Sequence, residues 1–245
     1  MGAWIQLCGR IVVRIDGRRV EERLPGRQGR LLFTYLAVNR RRPATRDELI
    51  EALWQEDAPA GAETSLSALL SKLRAALGAE KLGGRSSLRL DLGEDAWVDL
   101  EAASDALHRA ESAVTREGWA EAWGPARVAQ HIAHRGFLPG EDAPWIDETR
   151  RSLEQTYLRS LELAAAASLG IGGSELDTAE RTARALVKEA PYRESGHRLL
   201  MQTLAARGNA AEALQVYERL RRLLRDELGV APSPPTQALH RELIG

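Results

Sequence analysis

Cysteine is almost missing from this 245-residue chain, with Cys8 its sole representative. One thiol closes no internal disulfide, so Cys8 is expected as a small buried residue in a reducing compartment. Long apolar runs are missing as well. No uncharged apolar stretch reaches the ~18 residues that a membrane-crossing helix needs, so no membrane partner is expected. The opening MGAWIQLCGR has no basic segment followed by a long apolar one, so no secretory leader is expected and the cytoplasm is the expected location. Glycine patterns for dinucleotides or Walker-type phosphate cradles are absent, and no Ser or Cys sits in a nucleophile motif. All five histidines fall within residues 98–245. Of these, His131 and His134 could share a helix face, but no third metal ligand accompanies them. The expectation is a non-enzyme with no cofactor and no metal.

Net charge is also nearly absent, at −1, but it is unevenly distributed. Arg10–Arg46 holds eleven arginines against three acids, a local balance of +8. Residues 1–98 sum to +3 and the remainder to −4. A basic front on a mildly acidic body suits two domains with different partners.

The order of elements in the front part is legible. Ile11, Val13 and Ile15 alternate as a strand, and Asp16-Gly17 is a hairpin-turn signal. Leu31, Leu32, Tyr35 and Leu36 open a helical stripe that Arg40–Arg42 and Pro43 end. Thr45 stands three residues before Glu48, the spacing of a capping box, and Leu49, Leu53 and Trp54 face inward from the helix that follows. Pro59 and Gly61 break the chain before TSLSALLSKLRAAL (Thr64–Leu77). There Leu66, Leu69, Leu70, Leu73 and Leu77 make one helical face. The opposite face carries Thr64, Ser67, Ala68, Ser71 and Ala75, flanked by Lys72 and Arg74. Small side chains let a helix backbone approach another surface closely. SSLRLDL then alternates like one arm of a terminal hairpin. Strands, three helices and a hairpin predict an α+β winged helix-turn-helix with an added N-terminal β-sheet, spanning residues 1–97. The third helix would enter the major groove of double-stranded DNA, and the hairpin would lie along the backbone.

Residues 98–245 read as all-α. Helices are expected at Asp99–Thr115, Trp119–Ala133, Trp145–Leu169, Leu176–Glu189, Glu194–Ala206, Ala211–Leu228 and about Thr236–Leu243. Ala179, Ala183 and Leu186 recur 34 residues later as Ala213, Tyr217 and Leu220, the period of tetratricopeptide repeats. Such repeats leave a concave surface for peptides or partner helices. Trp119, Trp123, Trp145, Tyr192 and Tyr217 are expected to fill gaps between helices.

Several of these strings resemble a known family. LPGRQGRLLFTYLAVNRRRPATRDELIEALW and TSLSALLSKLRAAL resemble the DNA-binding half of actinobacterial-type antibiotic regulatory proteins, whose winged helix is similar to that of the OmpR/PhoB response regulators. GFLPGEDAPWIDETRRSLE and RGNAAEALQVYERLRRLLRDELGVAPSP resemble the bacterial transcriptional activator domain, a tetratricopeptide-like fold. The resemblance implies a sequence-specific transcriptional regulator, usually an activator. It also implies protomers side by side on direct repeats and contact with RNA polymerase. Its recognition helix corresponds to about Glu63–Leu77 and its wing to about Arg85–Leu92. The DNA-binding candidates are Arg30, Arg46, Thr64, Ser67, Ala68, Ser71, Lys72, Arg74, Arg85 and Arg89, with Arg30 and Arg46 placed on phosphates. Glu63 would repel phosphate unless it faces elsewhere. The alternative is a protein-interaction scaffold whose winged helix no longer binds DNA. A basic face of Arg27, Arg30, Lys72, Arg74, Arg85 and Arg89 favours the first reading, and interruption by Glu63, Glu80 or Asp91 favours the second.

Overall fold

A computed structural model describes residues 2–245. The chain divides into two compact units: one takes the chain through Ala102 together with Arg135–Leu153, the other takes Ala103–His134 and Glu154–Gly245.

The first unit opens with strands β1 (Trp4–Gln6), β2 (Val12–Ile15) and β3 (Arg18–Arg19). Asp16 and Gly17 both adopt positive φ, the two-residue turn whose twist suits an antiparallel hairpin. After the wing, β7 (Trp97–Val98) returns parallel to β1, with Ile5 opposite Val98, and the sheet order is β3-β2-β1-β7. Trp4 and Trp97 stack at 4.8 Å between centroids. A two-residue strand carries no alternation, so β7 left no trace in the hydrophobic pattern.

Three helices follow the hairpin: α1 (Gly26–Val38), α2 (Arg46–Trp54) and α3 (Ala62–Leu77). The capping box is formed: the Thr45 hydroxyl accepts the Glu48 N–H and the Glu48 carboxylate accepts the Thr45 N–H. Leu66, Leu70, Leu73 and Leu77 of α3 are buried, with Leu32, Leu36 and Leu49 also in the core. Leu69 departs from the expected stripe. It is only half-buried, and Ala76 takes a buried place instead. The wing comprises β5 (Leu82–Gly83) and β6 (Ser87–Leu90), and with β4 (Ala44–Thr45) it makes a sheet of order β4-β6-β5.

The chain crosses from β7 into α4 (Asp99–Thr115) at a buried acid. The Asp99 carboxylate accepts the N–H groups of Leu7, Cys8 and Leu100, each at 2.9 Å. Burial first, and the neighbouring Asp99 charge second, push the Cys8 thiol far above its ordinary value, so Cys8 is an inert core group. Two residues on, Glu101 receives Arg40 through two bonds of 2.6 and 2.9 Å, and Arg41 at 2.8 Å. Burial alone would raise the Glu101 carboxyl, but these guanidinium groups outweigh it and hold it below the usual carboxylate range.

Residues 135–153 complete the first unit. Gly9 N–H bonds to Gly136 O at 2.7 Å, and Cys8 bridges to buried Phe137. Trp145 donates its indole N–H to Ala52 O at 3.0 Å and meets Tyr35 edge-on at 5.3 Å. Arg150 holds this loop by donating to the carbonyls of Phe137, Leu138 and Glu141 at 2.6–3.1 Å.

The second unit is helical. It contains the part of α4 from Ala103 onward, α5 (Trp119–Ala133), the part of α6 (Pro144–Ile171) from Glu154 onward, α7 (Leu176–Glu189), α8 (Glu194–Ala206), α9 (Ala210–Leu228) and α10 (Pro234–Ile244). These bounds lie within one or two residues of the sequence expectation. All six residues of the 34-residue period are buried. Alanine lines the close contacts, as where Ala110 and Ala126 meet Leu163 and Ala164. Trp119 lies so close over Gly170 that a Cβ there would stand 2.3 Å from its ring. Two aromatics depart from the gap-filling expectation: Trp123 is 37% exposed and Tyr192 49%. Tyr217 is buried and stacks on His240 at 3.7 Å.

Two predictions follow from buried polar groups. Asp99→Asn keeps the shape but turns an amide NH₂ toward one of three N–H donors, so it should cost about 1–3 kcal/mol in urea unfolding of the whole chain. His197 is 4% exposed, its Nε2–H donates to Pro191 O at 2.9 Å, and its Nδ1 has no partner. Burial, the largest cause, lowers its pKa, so the unfolded chain takes up this proton first. The stability from neutral His197 is therefore present above the unfolded value of ~6.5 and is lost as pH falls below it. Thermal midpoints should drop between about pH 7 and pH 5, and His197→Gln should flatten that drop.

Candidate nucleic-acid interface

The three leucines at the centre of α3 anchor it, and its outer face is open. Thr64, Ser67, Ala68, Ser71, Lys72 and Ala75 are all exposed. The only acid on this helix, Glu63, is neutralised. Arg46, the first residue of α2, donates Nε to Glu63 Oε2 at 2.8 Å and brings Nη2 to the same carboxylate at 2.6 Å. Its Nη2 also donates to Ser67 Oγ at 2.7 Å and to Glu63 O at 3.2 Å. Arg46 is thus already engaged in holding the first turn of α3 to the start of α2, and Ser67 shares that engagement.

Arg74 is likewise occupied. It donates Nε to Leu82 O at 3.1 Å and Nη2 to Gly84 O at 2.8 Å, which ties α3 to the wing. The wing tip turns at Gly84, where φ is +88° and an added Cβ would lie 1.8 Å from Ser87 O. Arg85 follows at the tip, and Arg89 is an exposed residue on β6, between buried Leu88 and Leu90. Among the described residues, the guanidinium or ammonium groups of Arg30, Lys72, Arg85 and Arg89 have no acidic partner.

The remainder of the basic front is only partly neutralised within the unit: among the described residues Arg10, Arg14, Arg18 and Arg23 have no acidic partner, and Arg23 donates to Ala75 O of α3 at 3.1 Å. Arg19 pairs with Glu21, Arg27 with Glu141, Arg40 and Arg41 with Glu101, and Arg42 with Glu48. Arg27 therefore does not join the open cations. Glu80 precedes the wing and Asp91 follows it, both at the end away from the tip. The acids that close these pairs lie up to 114 residues away in sequence, so local charge counting overstated the free basic surface. The Arg46–Glu63–Ser67 cluster was missed for the same reason, although Glu63 at the head of a basic-flanked helix was a signal that a cation had to be near.

Comparison with known proteins shows the family. Residues 98–244 match the model of the bacterial transcriptional activator domain, and residues 21–86 match the model of the C-terminal transcriptional regulatory protein domain. The chain belongs to this family of bacterial transcriptional regulators. It is 34% identical over 227 residues to the regulatory protein AfsR of Streptomyces griseus, covering 89% of this chain and 22% of AfsR. It is 27% identical over 248 residues to the transcriptional regulatory protein EmbR of Mycobacterium tuberculosis, covering 97% of this chain and 62% of EmbR. The chain therefore spans about a fifth of the one relative and under two thirds of the other. A solved structure of Mycobacterium tuberculosis EmbR, in complex with a low-affinity phosphopeptide, superposes with a TM-score of 0.85 at 25% identity, over 99% of this chain and 65% of that one. In this family the winged helix is the DNA-binding domain and the helical stack the interaction domain. Among the described residues no helix is long and apolar enough to cross a membrane, and no group of three or more His, Cys, Asp or Glu is placed to hold a metal.

The wing generates a prediction. Gly84→Ala should lower the stability of the first unit by about 1–3 kcal/mol, because a side chain at this positive φ meets backbone. Chemical denaturation of the full chain measures the loss, and faster hydrogen exchange at Ser87–Leu90 would locate it.

Proposed function

We propose that the protein binds duplex DNA sequence-specifically through α3 and the wing and activates transcription from tandem sites. The observation that carries this reading is the outer face of α3: small, exposed side chains, one acid that is already paired, and neighbouring cations without acidic partners. Such a face brings the helix backbone near base edges, where Thr64, Ser67, Ala68 and Ser71 make hydrogen bonds or methyl contacts. Lys72 and Arg30, with Arg85 and Arg89 of the wing, meet phosphates, which supply affinity with little base preference. Arg46 and Arg74 act mainly by holding α3 and the wing in register. The helical half, with its net charge of −4, contacts protein: the transcription machinery, a neighbouring protomer, or both. The resemblance to RNA-polymerase-contacting activators supports that division of labour.

Selection of bound sites from a random duplex pool tests it. The wild-type chain should enrich a short motif repeated in tandem. Ala68→Glu with Ser71→Glu should enrich nothing while changing stability by within about 0.5 kcal/mol, since both positions are exposed. Leu70→Ala is the folding control. Leu70 is 1% exposed, and its truncation should cost roughly 2–5 kcal/mol. Recovery of the same motif by the double-glutamate protein would remove α3 from the reading role. Failure of both folded proteins to enrich any motif would favour the scaffold reading.

A further inference from the structure

In the helical unit, α5 and α7 border a surface depression of about 420 Å³. Trp123, Arg127 and Gln130 line it from α5, and Thr178 and Arg181 from α7. A second depression of about 220 Å³ shares Arg127 and Gln130 and reaches His131, His134 and Tyr157. No carboxylate lines either one.

That composition stands out in a half of the chain with a net charge of −4. Nearby arginines are neutralised: Arg184 by Glu180 and Glu212, Arg159 by Glu111 and Glu162. Arg127 and Arg181 touch only neutral groups, the Gln130 amide oxygen at 2.8 Å and the Thr178 hydroxyl at 3.3 Å. Among the described residues neither has an ion-pair partner. Beside them Trp123 is 37% exposed, although indole is ordinarily well buried. An open aromatic face next to two unpaired guanidinium groups is complementary to a ligand that is both apolar and anionic.

We propose that this groove docks a short acidic segment of a partner protein, with carboxylates on Arg127 and Arg181 and an apolar side chain against Trp123. Guanidinium forks match carboxylates in bidentate fashion, and an exposed indole supplies apolar contact area. A duplex is disfavoured here because its charges, one per ~1.7 Å of axis, would meet only two unpaired cations in a half of the chain whose net charge is −4. The inference rests on reading the helical half as the partner-binding domain, and it is independent of α3.

Selection of a random-peptide display library on the intact chain provides the test. Enriched sequences should place Asp or Glu around an aromatic or aliphatic residue. A fluorescein-labelled winner should bind Arg127→Glu/Arg181→Glu about tenfold or more weakly, the scale of losing charge-assisted hydrogen bonds. It should also weaken against Trp123→Ala, and when its own acids are replaced by amides. Arg127→Gln/Arg181→Gln, checked by circular dichroism, serves if charge reversal disturbs folding. These variants should still select the wild-type duplex motif, so a failure of the groove is distinguishable from a failure of DNA reading. The proposal is overturned if nothing is enriched, if the winners are not acidic, or if they bind the variants as tightly as the wild type. It is equally overturned if a random single-stranded oligonucleotide binds the intact chain and loses that binding on the same reversal.

Discussion

The buried carboxylate of Asp99 is the constraint around which the first unit is assembled. Its two oxygens take three backbone N–H groups, from Leu7 and Cys8 at the end of β1 and from Leu100 at the start of α4. Each of those donors would otherwise be a buried orphan. Satisfying them together sets the exit of the wing beside the beginning of the chain, and β7 then pairs parallel to β1. The same Cys8–Gly9 corner receives Phe137 and Gly136. Residues 135–153 thereby become part of the unit that contains the winged helix, and Trp145 reaches Ala52 of α2.

Charge in this protein is organised by pairing rather than by sign. Most of the early arginines close onto acids of the same unit, which fixes the end of α1 through Arg40 and Glu101 and the start of α3 through Arg46 and Glu63. The exposed pairs among them contribute little stability individually, about 0–1 kcal/mol, while Arg40–Glu101 is part-buried. Their consequence is positional: they decide which cations stay open. On α3, on the wing and against the end of α3 those are Lys72, Arg85, Arg89 and Arg23, and no unpaired acid remains on the helix itself. Arg46 thus neutralises from within the unit the one acid at the head of α3.

The helical unit follows a different logic. Alanine and glycine at the contacts let helices approach closely, and the large residues of the period fill the space between α7, α8 and α9. Close packing of small residues leaves aromatic and cationic side chains such as Trp123, Arg127 and Arg181 on the surface. The two units thus offer surfaces of different character: small exposed side chains and unpaired cations on α3 and the wing, and an exposed indole beside two arginines in the helical unit.

Local pattern in the chain determined most of the elements. The helices of the second half, the leucine face of α3, the Thr45–Glu48 cap and the Asp16-Gly17 turn each arise from residues within one or two turns of one another, so their periodicity is visible in the letters. The family resemblance was legible for the same reason, in contiguous strings, and the exposed outer face of α3 followed from the leucines opposite it. Tertiary structure alone decided the state of the candidate site. Arg46 and Ser67 are joined in one cluster, Arg74 is bound to wing carbonyls, and Arg27 is closed by Glu141. Leu69 is half-exposed, and Trp123 stands open beside two arginines. It alone placed Asp99 under Leu7 and returned residues 135–153 to the first unit. These outcomes depend on which distant groups meet across the folded chain, and contacts between residues as far apart as Cys8 and Asp99 leave no periodic trace in sequence.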